Sequence, residues 1–215
     1  MLKNTVALAA AFAQLANAHF LVQYPSWRAE TLDVPEGSDY DQWAYPCAGV
    51  PTGAGNRTDW PLTGGSIKLH LYHPWSYLFI NLGFGANTTN FNVSLTPNIV
   101  NVTSNGVICL PQVPVPVNVS DGQLASLQIV TSGSTGAALY NCADITFRSS
   151  AQLLDSNECR NDTDITAVIV GSSSAAETPA TPAESTPPSA APGTTVGGWT
   201  LAAAVGLAFA FVAGV

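Results

Sequence analysis

Short β-type segments, broken at regular intervals, constrain the fold of this 215-residue chain most strongly. Six segments alternate apolar and polar residues or are rich in β-branched and aromatic ones, at 66–72, 77–82, 91–95, 113–119, 125–130 and 144–148. Gly, Pro, Asn and Asp interrupt them about every ten residues, a spacing typical of antiparallel β-sandwiches. No segment before the C-terminal tail has a convincing helical period. The pattern therefore predicts an all-β domain.

The N-terminus has the pattern of a secretory signal peptide. Lys3 precedes an apolar run over residues 6–12, and Ala16-Asn17-Ala18 follows. Small residues at these last positions fit signal peptidase, and the apolar run is shorter than the ~20 residues that a membrane-spanning helix needs. We therefore expect residues 1–18 to be removed, which makes His19 the first residue of an exported protein.

The C-terminus has a second apolar run, over residues 199–215, without a charged residue after it. A helix that stops in the membrane is normally flanked by Lys or Arg on its cytoplasmic side. Small residues at Ser189-Ala190-Ala191 and a polar spacer precede the run, which is the pattern of a glycosylphosphatidylinositol (GPI) signal. We expect attachment at Ser189, with Gly193 and Ser185 as alternatives, and removal of residues 190–215. A single-pass tail anchor is the competing interpretation.

The part of the chain between these two signals divides by composition. Residues 171–195 consist of Ser, Thr, Ala, Pro, Gly and Glu, which bury too little surface to offset the entropy of ordering. The sequence predicts one domain over residues 19–165 and a disordered Ser/Thr/Pro-rich stalk over residues 166–189. The stalk would hold the domain away from the lipid anchor.

Cysteines and glycosylation sequons both agree with export. An even number of cysteines in an oxidising compartment predicts two disulfides with three possible connectivities, and the absence of a CxxC pair disfavours a Cys-based metal site. The cysteines are Cys47, Cys109, Cys142 and Cys159. Asn-X-Ser/Thr sequons predict N-glycosylation in exposed loops or on strand faces, at Asn56, Asn87, Asn92, Asn101, Asn118 and Asn161.

The charge balance limits the class of partner. The chain has 14 Asp and Glu against 6 Lys and Arg, and a net charge of −8. Without a basic cluster, such a surface argues against nucleic acid or an anionic membrane surface as a partner. It suits a protein that meets cations.

His19 is the residue with the clearest chemistry. An N-terminal histidine can chelate a metal through its free amine and its ring Nδ1, and a second imidazole opposite completes the all-nitrogen site called a histidine brace. Nitrogen ligands in tetragonal geometry favour copper. The second imidazole belongs to His70 or His73, which strand alternation places on opposite faces. At most one of them joins easily, and the residues alone leave the choice open.

Several short motifs, taken in order, resemble one fungal family. They are His19-Phe20, Tyr24-Pro25 followed by Arg28, Gly64-Gly65 with His73-Pro74, and Cys142-Ala143-Asp144-Ile145. From Ala18 to Cys159 the chain resembles the copper-acquisition-factor-like group, relatives of the lytic polysaccharide monooxygenases (LPMOs), many of them GPI-anchored. The resemblance implies an antiparallel, LPMO-like sandwich of the immunoglobulin/fibronectin-like type with two disulfides.

The resemblance also implies a ligand set. In that family an N-terminal histidine, a second histidine in a His-Pro strand and an aspartate hold copper. Matched by motif, these are His19, His73 and Asp144, which would bind one Cu(II) per domain. His70 has no role in that pattern and is expected to be structural.

The disulfide pairing is expected within the same framework. We pair Cys109 with Cys142 and Cys47 with Cys159. The first pair would fix the strand that carries Asp144 and so tie a covalent bond to the site.

These implications predict a copper-binding protein, not an enzyme, that captures or hands over copper at the outer face of the plasma membrane or in the cell wall. A carboxylate ligand stabilises Cu(II) and occupies coordination space that oxygen needs. The expected partners are the copper ion, the membrane through the GPI lipid and a plasma-membrane copper transporter, and the expected state is a monomer.

Two alternatives remain open. One is an oxidative polysaccharide-cleaving copper monooxygenase, which would have an aromatic axial residue in place of Asp144. The other is a metal-free cell-wall structural or adhesion glycoprotein, whose activity would not depend on His19.

Overall fold

Ten β-strands form the regular structure of residues 19–133 and 136–170, the part of the chain that the computed structural model describes. The strands are β1 Phe20–Tyr24, β2 Thr58–Pro61, β3 Gly64–Leu71, β4 Trp75–Phe84, β5 Val93–Ser94, β6 Val100–Thr103, β7 Gly106–Pro114, β8 Leu124–Ser132, β9 Ala138–Arg148 and β10 Thr166–Ile169. The all-β prediction is confirmed. None of these residues belongs to a helix long and apolar enough to cross a membrane. The predicted signal peptide and GPI signal lie outside the described residues.

The strands form two sheets. The smaller has the order β1-β3-β7, and the larger has the order β10-β6-β4-β8-β9-β2, with β5 paired to β4. Every pairing is antiparallel except that of β2 with β9, which is parallel. The predicted antiparallel sandwich therefore holds, with one parallel strand added at the edge of the larger sheet.

Alternating side chains build the core. From Ile67 to Leu71 in β3 and from Leu78 to Leu82 in β4, every second residue is apolar and buried, because successive side chains of a strand point to opposite faces. Strands β8 and β9 are instead buried along almost their whole length. This continuous burial reflects polar contacts as well as the core, since Ser126, Gln128, Asn141 and Asp144 are among their buried residues.

Four of the six predicted β-segments coincide with β3, β4, β8 and β9. The segment at 91–95 contains only the short β5. The segment at 113–119 is wrong for most of its length, because β7 ends at Pro114. Its valines continue the alternation, but Pro114 and Pro116 lack the N–H group that a ladder needs.

The predicted boundary between domain and stalk is also corrected. Thr166–Ile169, assigned to the start of the stalk, form β10 and pair with β6 from Val100 to Thr103. All four β10 side chains are exposed, so the strand joins the sheet through its backbone. The rest of the predicted stalk, from residue 171, lies outside the described residues.

Two disulfides are present, as expected, but the predicted pairing is wrong. The bonds join Cys47 to Cys142 and Cys109 to Cys159, whereas Cys109–Cys142 and Cys47–Cys159 were expected. The physical reason is proximity: the fold brings Cys47 to Cys142 on β9 and Cys159 to Cys109 on β7, at Cα–Cα distances of 5.1 and 5.2 Å.

Local hydrogen bonds bring each cysteine to its observed partner. The segment after Cys159 returns to β7, where the Cys109 N–H donates to Asn161 Oδ1 at 2.7 Å. The Tyr140 N–H on β9 donates to Gln42 O at 2.7 Å, next to the loop that carries Cys47.

That loop, residues 41–48, is folded back on itself. The Asp41 N–H donates to Ala48 O at 3.0 Å, and the Ala48 N–H donates to Ala44 O at 2.8 Å. Gly49 follows with φ of +74°, and a Cβ at this position would lie 2.7 Å from Asp39 O. Glycine is therefore required for the loop to close.

Candidate metal centre

His19 lies at the start of β1, next to the end of β3. Phe20 is in register with Leu71, and the Tyr72 N–H donates to His19 O at 3.2 Å. His73 is the next residue after Tyr72 and, like His19, is half-buried. The antiparallel pairing thus brings together two histidines that are 54 residues apart in the sequence (73 − 19).

The surroundings of His19 favour its neutral form. Burial lowers the pKa of its imidazole below the ordinary value, the charge of Asp41 opposes this, and His73 lowers the pKa further. A neutral imidazole has a free ring nitrogen that can bind a metal. These effects place His73 and Asp41 within electrostatic range of His19.

Asp41 and Trp43 reach His19 from the 41–48 loop. The Trp43 ring lies edge-on to the His19 ring at 6.4 Å between centroids and is 43% exposed. Asp41 Oδ1 accepts a hydrogen bond from the backbone N–H of Trp43 at 3.0 Å, which ties the carboxylate to the same turn. No local motif in the sequence marks Asp41. The only signal for it is the neighbouring Cys47, and that signal depends on knowing that Cys47 pairs with Cys142.

His70 lies on the same strand as the site but has a different neighbour. Its ring stacks on the Tyr72 ring at 4.4 Å with an interplanar angle of 21°. On β1 it is in register with Leu21, two residues beyond His19. The charged groups that act on the pKa of His19 are Asp41 and His73.

Asp144, which was predicted to be a ligand, is engaged elsewhere in the structure. It is 2% exposed and forms an ion pair with Arg28 at 3.0 Å. Its Oδ1 accepts hydrogen bonds from Arg28 Nε at 3.0 Å and Ser126 Oγ at 2.6 Å, and its Oδ2 accepts one from the Gly53 N–H at 2.7 Å. Both oxygens are therefore used by a buried structural network.

This network sets the protonation state of Asp144. Burial raises the pKa of the carboxyl, but the hydrogen bonds from Ser126 and Gly53 and the Arg28 charge outweigh burial and hold that pKa below its usual value. Arg28 also donates to Val50 O at 3.2 Å. The pair thus anchors the chain that follows the 41–48 loop onto β8 and β9.

The donor set at the centre consists of two imidazoles with a carboxylate nearby. Within residues 19–133 and 136–170, no three His, Cys, Asp or Glu side chains are grouped so as to hold a metal ion. A histidine brace does not need such a group, because one N-terminal histidine supplies two of its three nitrogens. The residues present therefore fit a nitrogen-ligated metal if the chain begins at His19.

The predicted glycosylation sequons differ in accessibility. Five of the six asparagines are exposed. Asn101 on β6 is half-buried, and its Oδ1 is buried without a hydrogen-bond partner among the described residues. Asn161 is exposed, but its Oδ1 already accepts the Cys109 N–H.

Comparison with known proteins identifies related sequences. The sequence profile of a family described as copper acquisition factor BIM1-like matches residues 17–164. The lytic polysaccharide monooxygenase-like protein X325 of Aspergillus fumigatus is 37% identical over 164 residues, which cover 63% of this chain and 68% of that protein. The lytic polysaccharide monooxygenase-like protein ham-7 of Neurospora crassa is 38% identical over 187 residues, covering 77% and 80%. A Hypocrea jecorina X325 protein is 39% identical over 154 residues, covering 64% and 66%.

Proposed function

We propose, since this chain belongs to the BIM1-like copper acquisition factor family, that it is a cell-surface protein that binds one Cu(II) ion through a histidine brace. The observation that carries the proposal is the meeting of His19 and His73 at the adjoining ends of β1 and β3. Copper capture or transfer at the cell surface is the function that these residues support best.

The proposed ligands are three nitrogens. Cleavage after Ala18 would free the amine of His19, and the ring Nδ1 of the same residue and the imidazole of His73 would complete the set. All-nitrogen donors suit Cu(II), which also has the highest affinity among the first-row divalent metals. The lowered pKa of His19 favours the neutral ring that binding requires.

Asp41 takes the place of Asp144 as the carboxylate of the site. Its charge acts on His19 from the 41–48 loop, whereas Asp144 is buried in an ion pair. A carboxylate close to the ion would stabilise Cu(II) over Cu(I). It would also limit the coordination space for oxygen, so we propose binding and not oxidative catalysis.

The signals at the two ends support the proposed location. Export and GPI attachment would place the domain on the outer face of the plasma membrane or in the cell wall, as a monomer on a stalk. A plasma-membrane copper transporter would then receive the ion. The acidic surface suits a protein that meets cations.

A processing variant tests the brace. Residues 19–170 are produced with His19 as the free N-terminus and, in parallel, with one alanine added before it. Because the added residue removes the chelating amine, Cu(II) affinity should fall at least a hundredfold, while the melting temperature without copper stays unchanged. Equal affinities measured by competition titration would contradict the brace.

The names of the relatives give reason to test the enzymatic alternative directly. Copper-loaded protein with ascorbate and oxygen is incubated with cellulose, chitin or β-glucan, and an active polysaccharide monooxygenase serves as the positive control. We expect no oxidised sugars. Release that depends on both copper and reductant would establish the enzyme and end the binding-only proposal.

A further inference from the structure

The Gln42 side chain covers the outer edge of β1 at Phe20, the residue after His19. β1 is the edge strand of its sheet, and the Tyr72 N–H bonds to His19 O. In an antiparallel ladder, the N–H and C=O groups of the next residue, Phe20, then point away from β3. Gln42 takes both: the Phe20 N–H donates to Gln42 Oε1 at 3.2 Å, and Gln42 Nε2 donates to Phe20 O at 2.9 Å.

Gln42 is the centre of a buried polar network. Its Nε2 also donates to Thr31 Oγ1 at 2.9 Å, and Thr31 Oγ1 donates to Asn141 Oδ1 at 2.8 Å. Asn141 Nδ2 completes the circuit by donating to Phe20 O at 3.2 Å. Gln42, Thr31 and Asn141 are 1%, 4% and 1% exposed. A buried network in which each of these groups is bonded specifies one arrangement and resists rearrangement.

The network connects the two chain segments of the proposed copper site. Phe20 follows His19, and Gln42 follows Asp41, so one amide group joins the neighbours of an imidazole and a carboxylate. The main chain of Gln42 is also anchored, because its backbone carbonyl accepts a hydrogen bond from the Tyr140 N–H of β9. A newly cleaved N-terminus is poorly ordered unless it is tied down, and Gln42 supplies that tie one residue from the proposed chelating amine.

We propose that Gln42 is a positioning residue of the copper site, which holds the main chain at His19–Phe20 in the orientation that binds the ion and keeps Asp41 beside it. The inference rests on the proposed function. Gln42 does not touch the ion. It lowers the cost of ordering the N-terminal ligand, and such preorganisation increases affinity without adding a contact to the bound species.

The test compares two buried glutamines. Gln42→Leu removes the clamp on Phe20, and Gln128→Leu is the matched control. Gln128 is 3% exposed, and its Nε2 donates to Pro46 O of the same loop at 3.0 Å. Its Oε1 accepts a hydrogen bond from Asn81 on β4, so these bonds do not involve Phe20. Both variants should lower the melting temperature without copper. Only Gln42→Leu should reduce Cu(II) affinity, by about tenfold, and change the copper hyperfine splitting at saturation in electron paramagnetic resonance (EPR).

Thr31→Val provides a second, milder variant. It keeps the volume of the side chain and removes the hydroxyl that accepts from Gln42, so it should shift affinity and spectrum in the same direction, by about threefold in affinity. If Gln42→Leu does not fold, Thr31→Val against Gln128→Leu decides the question.

The outcomes separate the two proposals. If the wild type binds copper in a His19-dependent way and Gln42→Leu, or Thr31→Val in its place, matches it in affinity and spectrum, the positioning role is overturned and the copper site stands. Identical changes in Gln128→Leu would also overturn it, because they would reflect general loosening. If the wild type binds no copper, the proposed function fails and the inference fails with it.

Discussion

Replacing Asp144 by asparagine tests whether this carboxylate is structural. The substitution keeps the shape of the side chain but removes its charge, and it leaves the Arg28 guanidinium buried without a counter-ion. The side chains of the pair are 3% and 2% exposed. Removing one partner of a buried ion pair costs about 3–5 kcal/mol, because the other charge stays uncompensated.

The size of the effect follows from typical domain energetics. Single domains have free energies of unfolding of roughly 5–15 kcal/mol, so Asp144→Asn should lose a large part of the total. For a domain of about 150 residues, each kcal/mol lowers the melting temperature by roughly 2–4 °C. We therefore expect a decrease of about 6–20 °C in differential scanning calorimetry of the copper-free protein.

An exposed ion pair provides the control. Asp59 lies 3.5 Å from Arg148, and their side chains are 64% and 43% exposed. Asp59→Asn should change the free energy of unfolding by no more than about 0.5 kcal/mol, because water screens such pairs. Folded Asp144→Asn should keep the wild-type Cu(II) EPR spectrum. A melting temperature like that of the wild type, together with an altered copper spectrum, would refute this reasoning and restore Asp144 as a ligand.

The pH dependence gives an independent check. The pKa of Asp144 is held below its usual value in the folded protein. A carboxyl with a lowered folded-state pKa stabilises the protein above its unfolded-state pKa, and this stabilisation is lost as the pH falls through the folded value. The difference in melting temperature between wild type and Asp144→Asn should therefore be full at neutral pH and narrow below about pH 4. A difference that stays constant into acid would mean that the charge is not its source.

Three further predictions concern the proposed copper site. His73→Ala should remove one nitrogen from the Cu(II) EPR spectrum and weaken affinity at least a hundredfold, whereas His70→Ala should change neither; the reverse result would mean that His70 is the second ligand. Trp43→Phe should reduce the quenching of tryptophan fluorescence by Cu(II), because this indole lies 6.4 Å from the His19 ring; unchanged quenching would place the ion elsewhere. Copper binding should release protons and weaken in acid, and near neutral pH the amine, with a pKa near 7.7–8.0, should supply most of them because the pKa of His19 is already lowered. Calorimetry in buffers of different ionisation enthalpy measures this release, and no proton release at neutral pH would argue against the amine as a ligand.

The strands were predictable where a single period operates over several residues. β3, β4, β8 and β9 follow from the alternation of apolar and polar residues in the sequence, which is a local property of an extended backbone. Short strands carry too few residues to show that period, and β2, β6 and β10 have four each. Those strands exist because a neighbour offers them hydrogen bonds.

The residues of the candidate site also differ in whether a local sequence pattern marks them. His19 stands out because it follows a cleavage motif, whereas the residues alone left His70 and His73 open and only the family resemblance selected His73. Asp41 has no such local mark. It reaches His19 because the Cys47–Cys142 disulfide and the Gln42 side chain fold the 41–48 loop onto β9 and β1.

Residue chemistry and short-range order therefore determined the all-β class, the number of disulfides and the choice of His19, and the family resemblance added His73 to the proposed site. The tertiary structure alone decided which cysteines pair, which carboxylate approaches His19 and which one is buried. Asp144 and Asp41 have the same side chain, and burial gives one an arginine partner while the other stays exposed beside His19. That difference depends on contacts such as Arg28–Asp144, which join residues 116 apart in the chain. Local sequence patterns do not encode contacts across such separations.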